Sequence, residues 1–155
     1  MRKEIFETLV KFYISKAFTD NYIVVFTFEG VVYMVKTGEE IFRLGVKLDK
    51  ASRGAGYSIR FKPTKADKLA LLANGAEALC SEKFFKETAE NSKYNKGEIA
   101  EKFVTEFFGQ TWEKDNVPFT EDGDLTVNGI AYQIKFEKAT FINEKQMVKM
   151  RKEDR

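Results

Sequence analysis

Residues 123–135 read GDLTVNGIAYQIK. Asn128-Gly129 between two alternating apolar runs is the strongest short-range signal for a two-residue hairpin turn, whose central residues take positive φ. Taking that turn literally fixes a register. Val127 faces Ile130, Thr126 faces Ala131, Leu125 faces Tyr132, Asp124 faces Gln133 and Asp122 faces Lys135. Alternation then gathers Leu125, Val127, Ile130, Tyr132, Ile134 and Phe136 on an apolar side, with Asp122, Asp124, Gln133 and Lys135 on the other. Opposed Cβ atoms lie roughly 5 Å apart in such a pair, so a carboxylate, an amide oxygen and an ammonium come within reach of one ion. A solvated polar strand face explains the same pattern without any ligand. Asp122, beside a glycine, also reads as a turn residue.

Just upstream, NKGEIAEKFVTEFFG (residues 95–109) places Ile99, Ala100, Phe103, Val104, Phe107 and Phe108 on one broad helical stripe. Glu98, three residues after Asn95, is placed to cap the helix start. Glu101 falls on the flank of the stripe, where it can point toward a sheet or into solvent.

The rest of the chain supplies a scaffold. Lys3 to Ala17 has helical spacing of Ile5, Phe6, Leu9, Tyr13 and Ala17. Tyr22–Phe28 and Val31–Lys36 flank Glu29-Gly30 as a hairpin. GEEIFRLGVKL (residues 38–48) reads as a short helical or irregular piece. Tyr57–Lys62 reads as a strand with Ser58, Arg60 and Lys62 on one face. Pro63-Thr64 stops it and opens a helix over Lys65–Ala73, which Asn74-Gly75 ends. Further helices are expected over Ala76–Ala89 and Asn95–Phe108. After the hairpin, a strand continues to about Phe141, and a C-terminal helix begins at Glu144 with Asn143 and Gln146 in capping-box positions.

Composition narrows the chemistry. The 155 residues carry fifteen Phe, six Tyr and no histidine. The aromatic content belongs to a packed globular chain large enough for a real core. Lacking histidine, the protein has no Ser-His or Cys-His nucleophile, no histidine metal ligand and no histidine general base. Cys80 is the lone cysteine, which excludes an internal disulfide and a cysteine zinc cluster. A net charge of +2 does not by itself argue for nucleic acid, so the placement of charge decides. Arg53, Arg60, Lys62, Lys65 and Lys68 concentrate in one stretch and Lys138, Lys145, Lys149, Arg151 and Lys152 in another. Each reads either as a phosphate-contacting surface or as a solvated face. No apolar run reaches the length of a membrane span, and the N-terminus has no signal-peptide apolar region. The cytoplasm is the expected compartment.

KGEIAE, then GD, then QIK resembles the PD-(D/E)XK nuclease superfamily, in its Holliday-junction-resolvase and RecB-like branch. Gly97 and Glu101 match a G-x-x-x-E helix, Asp124 a strand entered at an acid, and Gln133 with Lys135 a Q-x-K strand. The likeness covers residues 95–141, and the stretch is also similar to small proteins of bacterial phages and conjugative elements. The chain departs from the pattern in having an amide at Gln133 and no Tyr four residues after Gln146. It also ends before the family's final strand, so an N-terminal strand is expected to complete the sheet.

The resemblance implies an α/β fold, a central mixed sheet flanked by helices. Residues 1–90 would be an N-terminal elaboration packing on a nuclease core at 91–155, the two forming one compact unit. It implies an endodeoxyribonuclease dependent on Mg²⁺ or Mn²⁺. Asp124, Gln133, Glu101 and the Ile134 carbonyl would hold the ion, and Lys135 would act on the attacking water. DNA would lie on Arg53, Arg60, Lys62, Lys138, Lys145 and Lys149, and a homodimer is compatible. The alternative is a catalytically decayed protein of the same fold that binds nucleic acid or protein.

Overall fold

The computed structural model describes residues 2–17, 21–36, 44–50, 56–113 and 124–153. Its first element, helix α1 (Lys3–Ala17), is followed by an antiparallel hairpin of β1 (Asn21–Phe28) and β2 (Val31–Lys36). Glu29 (φ 46°) and Gly30 (φ 80°) supply the two left-handed residues that a tight hairpin turn needs. Strands β3 (Val46–Lys50) and β4 (Tyr57–Phe61) lead to α2 (Lys65–Ala73), β5 (Glu77–Ser81), α3 (Glu82–Glu90) and α4 (Lys96–Phe107). The Asn128-Gly129 hairpin joins β6 (Leu125–Val127) to β7 (Ile130–Phe136), after which come β8 (Ala139–Asn143) and α5 (Glu144–Glu153).

The fold is α+β. Five strands form a curled mixed sheet in the order β5-β2-β1-β7-β6, and three form a second sheet, β3-β4-β8. β7 runs parallel to β1, with Ile23 opposite Ile134, and antiparallel to β6, with Leu125 opposite Tyr132. An N-terminal strand therefore does complete the sheet around the β6-β7 hairpin.

Period-two alternation on β1 divides the interior into two cores. Tyr22, Val24 and Phe26 face the second sheet and pack with Phe6 and Leu9 of α1, Leu71 of α2, and Ile59, Phe61, Phe141 and Ile142. Ile23 and Val25 face the other way, with Val32, Met34, Leu125, Tyr132 and Ile134, against Phe85, Ile99, Ala100 and Val104 of α3 and α4. Emptying a fully buried aromatic site in such a core, Phe26 or Phe85 for example, costs about 3–5 kcal/mol.

Caps set the helix boundaries. The Asn95 side chain accepts from Glu98 N–H while the Glu98 carboxylate accepts from Asn95 N–H, so Glu98 is the cap expected of it. Thr64 and Asp67 make the same reciprocal pair on α2, and Asn143 and Gln146 do so at α5.

Three sequence expectations are corrected. Residues Ala76–Ala89 are not one helix: Glu77–Ser81 is an edge strand paired antiparallel with β2, and Ser81 then caps α3. Val46–Lys50 is a strand paired with β4, not an irregular piece. The strand after the hairpin does not run on to Phe141. It breaks at Glu137-Lys138, where Lys138 has φ 68°, and β8 restarts in the other sheet. Pairing with a neighbour outweighs local propensity in all three.

Candidate functional site

The hairpin register is Leu125 to Tyr132, Thr126 to Ala131 and Val127 to Ile130, as the sequence predicts. The ladder stops there. Asp124 does not stand opposite Gln133 as a partner on the polar face. Its N–H donates to the Tyr132 carbonyl (2.9 Å), and its Oδ2 accepts from the Ile134 N–H (2.9 Å). The carboxylate thus takes the place that a further β6 carbonyl would fill, closing the ladder where the strand ends.

Gln133 is exposed and Lys135 half-buried. Tyr132 and Ile134 face α3 and α4, so alternation turns Gln133 and Lys135 to the opposite side of β7. The Lys135 ammonium donates to the Thr140 carbonyl at 3.2 Å. Glu101 rises from α4, which covers the Tyr132–Ile134 side. Asp124 thus lies against the β7 backbone at Ile134, Gln133 and Lys135 alternate away from the Tyr132–Ile134 side, and Glu101 belongs to the helix that covers that side. Asp122 and Arg53 lie outside the described residues.

One oxygen of the Asp124 carboxylate is committed to a backbone N–H, and the amide at Gln133 carries no charge. Among the described residues no group of three or more Asp, Glu, Cys or His side chains could hold a metal. Partial burial pushes the Cys80 thiol pKa up.

A different constellation does converge. Arg60 donates through Nε to the Lys138 carbonyl at 3.0 Å, and its Nη2 bonds the same oxygen. Asp49 receives the Lys62 ammonium at 3.2 Å and the Arg60 guanidinium at 3.6 Å. Lys47 stands opposite Arg60 on β3 and pairs with Asp67 at 2.8 Å. Ile59 and Phe61 point into the core, so alternation turns Arg60 to the outer face of the β3-β4-β8 sheet. The Lys62 hydrogen bond, with help from the Lys50 N–H and Arg60, holds the Asp49 carboxyl below the usual aspartate value. Burial pushes Asp67 up, but hydrogen bonds from Lys47 and Thr64 outweigh it and leave that carboxyl lowered too.

Arg60 and Lys62, both proposed from sequence, thus meet on Asp49, and Lys138, also proposed, meets Arg60 through its backbone carbonyl. Lys145 and Lys149 are exposed on α5, the helix that follows β8. Asp49 went unnoticed in the sequence because its segment does not read as a strand. The only hint was the alternation of Lys47, Asp49 and two apolar residues.

A second polar cluster locks the bend between the sheets. The Glu137 carboxylate accepts from the Thr27 N–H (2.7 Å) and Oγ1 (2.9 Å), and pairs with Lys68 at 2.6 Å. All its contacts are internal, and it serves to fix where β7 ends and β8 begins.

No helix of the described residues is long and apolar enough to cross a membrane. The chain matches no family model, no curated protein and no solved structure.

Proposed function

We propose that this chain binds nucleic acid through the outer face of the β3-β4-β8 sheet, without a preformed catalytic metal centre. The observation that carries the reading is the convergence of the Arg60 guanidinium and the Lys62 ammonium on a single carboxylate, Asp49, with Arg60 also held by the Lys138 carbonyl. Two cations on one acid leave net positive charge on a rigid strand. A guanidinium suits phosphate by its planar fork of donors. Such contacts position a backbone and carry no sequence information, so the expected binding is salt-sensitive and sequence-tolerant. The test is fluorescence anisotropy with a labelled DNA duplex. Arg60→Gln and Lys62→Gln should each weaken binding and flatten its salt dependence, while unchanged binding in both would refute the surface.

A second reading, a metal-dependent nuclease, is favoured by one observation: Asp124 is fixed against the backbone between Gln133 and Lys135. Supercoiled plasmid incubated with Mg²⁺ or Mn²⁺ decides between the two. EDTA-sensitive nicking that Asp124→Ala and Lys135→Ala abolish would establish the nuclease, and intact plasmid would leave the binding reading in place.

A further inference from the structure

Away from that sheet, a cleft of about 430 Å³ opens where the end of β2 meets the ends of α2 and α4. Its volume lies in the range typical of small-molecule sites. Met34, Lys36, Asn74, Glu77, Phe107 and Phe108 line it. Phe107 is 47 % exposed, and its ring meets Phe108 edge-on at 5.4 Å. One aromatic face is therefore held steady with open space in front of it.

The Lys36 ammonium lies 5.6 Å from the Phe108 ring centre and 5.3 Å from that of Tyr132. Two rings hold the cation in place through their negative faces. Lys47, Arg60, Lys62, Lys68, Lys86 and Lys102 each have a carboxylate within ion-pair distance. Lys36 has none among the described residues, so its charge is open to an anion. The polar groups elsewhere on the wall have the opposite preference. Glu77, across from Met34 on β5, is an acceptor. Asn74 donates to the Ala70 carbonyl (2.7 Å) with its amide nitrogen, which turns its acceptor oxygen to other uses.

The matching ligand carries an anion at one end, N–H donors at the other and a flat apolar body between. A simple aromatic carboxylate satisfies only the Lys36 end and meets Glu77 unfavourably. We propose that the cleft binds a nucleoside monophosphate, with its phosphate on Lys36, its base against Phe107, and its exocyclic amino group toward Glu77 and Asn74.

The test titrates AMP, adenosine and inorganic phosphate into the full chain, read by calorimetry and by amide chemical-shift mapping. AMP should shift Lys36, Asn74, Glu77, Phe107 and Phe108. Lys36→Met keeps the aliphatic stem over the rings and should weaken AMP by about tenfold or more, the worth of one charge-assisted hydrogen bond, while leaving adenosine unchanged. Phe107→Ala, at an exposed position, should weaken both. The proposal is overturned by shifts that map elsewhere, by phosphate binding as tightly as AMP, or by no response to millimolar AMP. The shift map depends on the wild-type chain alone, so the outcome stands even if a variant folds poorly.

Discussion

Replacing Asp49 by Asn should make the protein bind DNA more tightly and with a steeper salt dependence. In the native chain Asp49 engages both Lys62 (3.2 Å) and Arg60 (3.6 Å), so an incoming phosphate has to displace it. Two cations against one acid give an effective charge of about one, and a slope of log K against log salt near −0.9 on duplex DNA. Removing the carboxylate raises the effective charge to about two and the slope to about −1.8. Between 50 and 200 mM salt, native affinity should fall about 3.5-fold and the variant's about 12-fold. Asn keeps the side-chain shape and can still accept a hydrogen bond, so the strand should survive. Anisotropy titrations at four salt concentrations measure both slopes. A variant slope equal to or shallower than the native one would refute the argument, because Asp49 would then not be competing with phosphate.

The remaining predictions concern stability. Asp124→Ala should cost about 1–3 kcal/mol in urea unfolding, since it leaves the Ile134 N–H without its acceptor; Asp124→Asn should restore most of that, and equal losses would argue against the ladder-closing role. Lys68→Met should destabilise by about 1–3 kcal/mol by leaving the Glu137 carboxylate, 18 % exposed, without its cation, and an unchanged unfolding midpoint would show that the bend does not need the pair. Thr105→Val should stabilise by about 1 kcal/mol, because the buried Thr105 hydroxyl has no hydrogen-bond partner among the described residues; a lower melting temperature would reveal a partner or a strained fit. Asp49 and Asp67 both have lowered carboxyl pKa values. Their stabilisation is complete above the unfolded value of about 4 and is lost as pH falls through the lower native values. Melting temperature should therefore drop below about pH 4, and the Asp49→Asn, Asp67→Asn double variant should lose less on acidification than the native chain.

The hairpin register, the caps on α2, α4 and α5, and the Glu29-Gly30 turn were all legible because each is set by residues a few positions apart. Asn95 with Glu98, or Asn128 with Gly129, needs no distant neighbour to be decided. β5 was misread because AEALCS has no strong propensity of its own and becomes a strand only by lying along β2. The break at Glu137-Lys138 was invisible for a similar reason. It depends on Thr27 and Lys68, 110 and 69 positions away, gripping Glu137. At the candidate site, spacing placed Asp124, Gln133 and Lys135 close together, but it could not say that the Asp124 carboxylate would bond the Ile134 N–H, or that α4 would cover the Tyr132–Ile134 side of β7. The shared side of Arg60 and Lys62 was legible because β4 alternation is local, while Asp49, the acid that ties them together, sits on a different strand.

The parallel seam between β1 and β7 joins Ile23 to Ile134, 111 positions apart. At ribosomal rates of about 5–20 residues per second, the hydrophobic strand NYIVVFTF emerges several seconds before its permanent neighbour is made. During that interval one flank of β1 offers unpaired amides and carbonyls to any passing chain. Newly made protein should thus be most vulnerable to self-association late in translation, and solubility on overexpression should respond more to slowed synthesis than to substitutions on the finished surface.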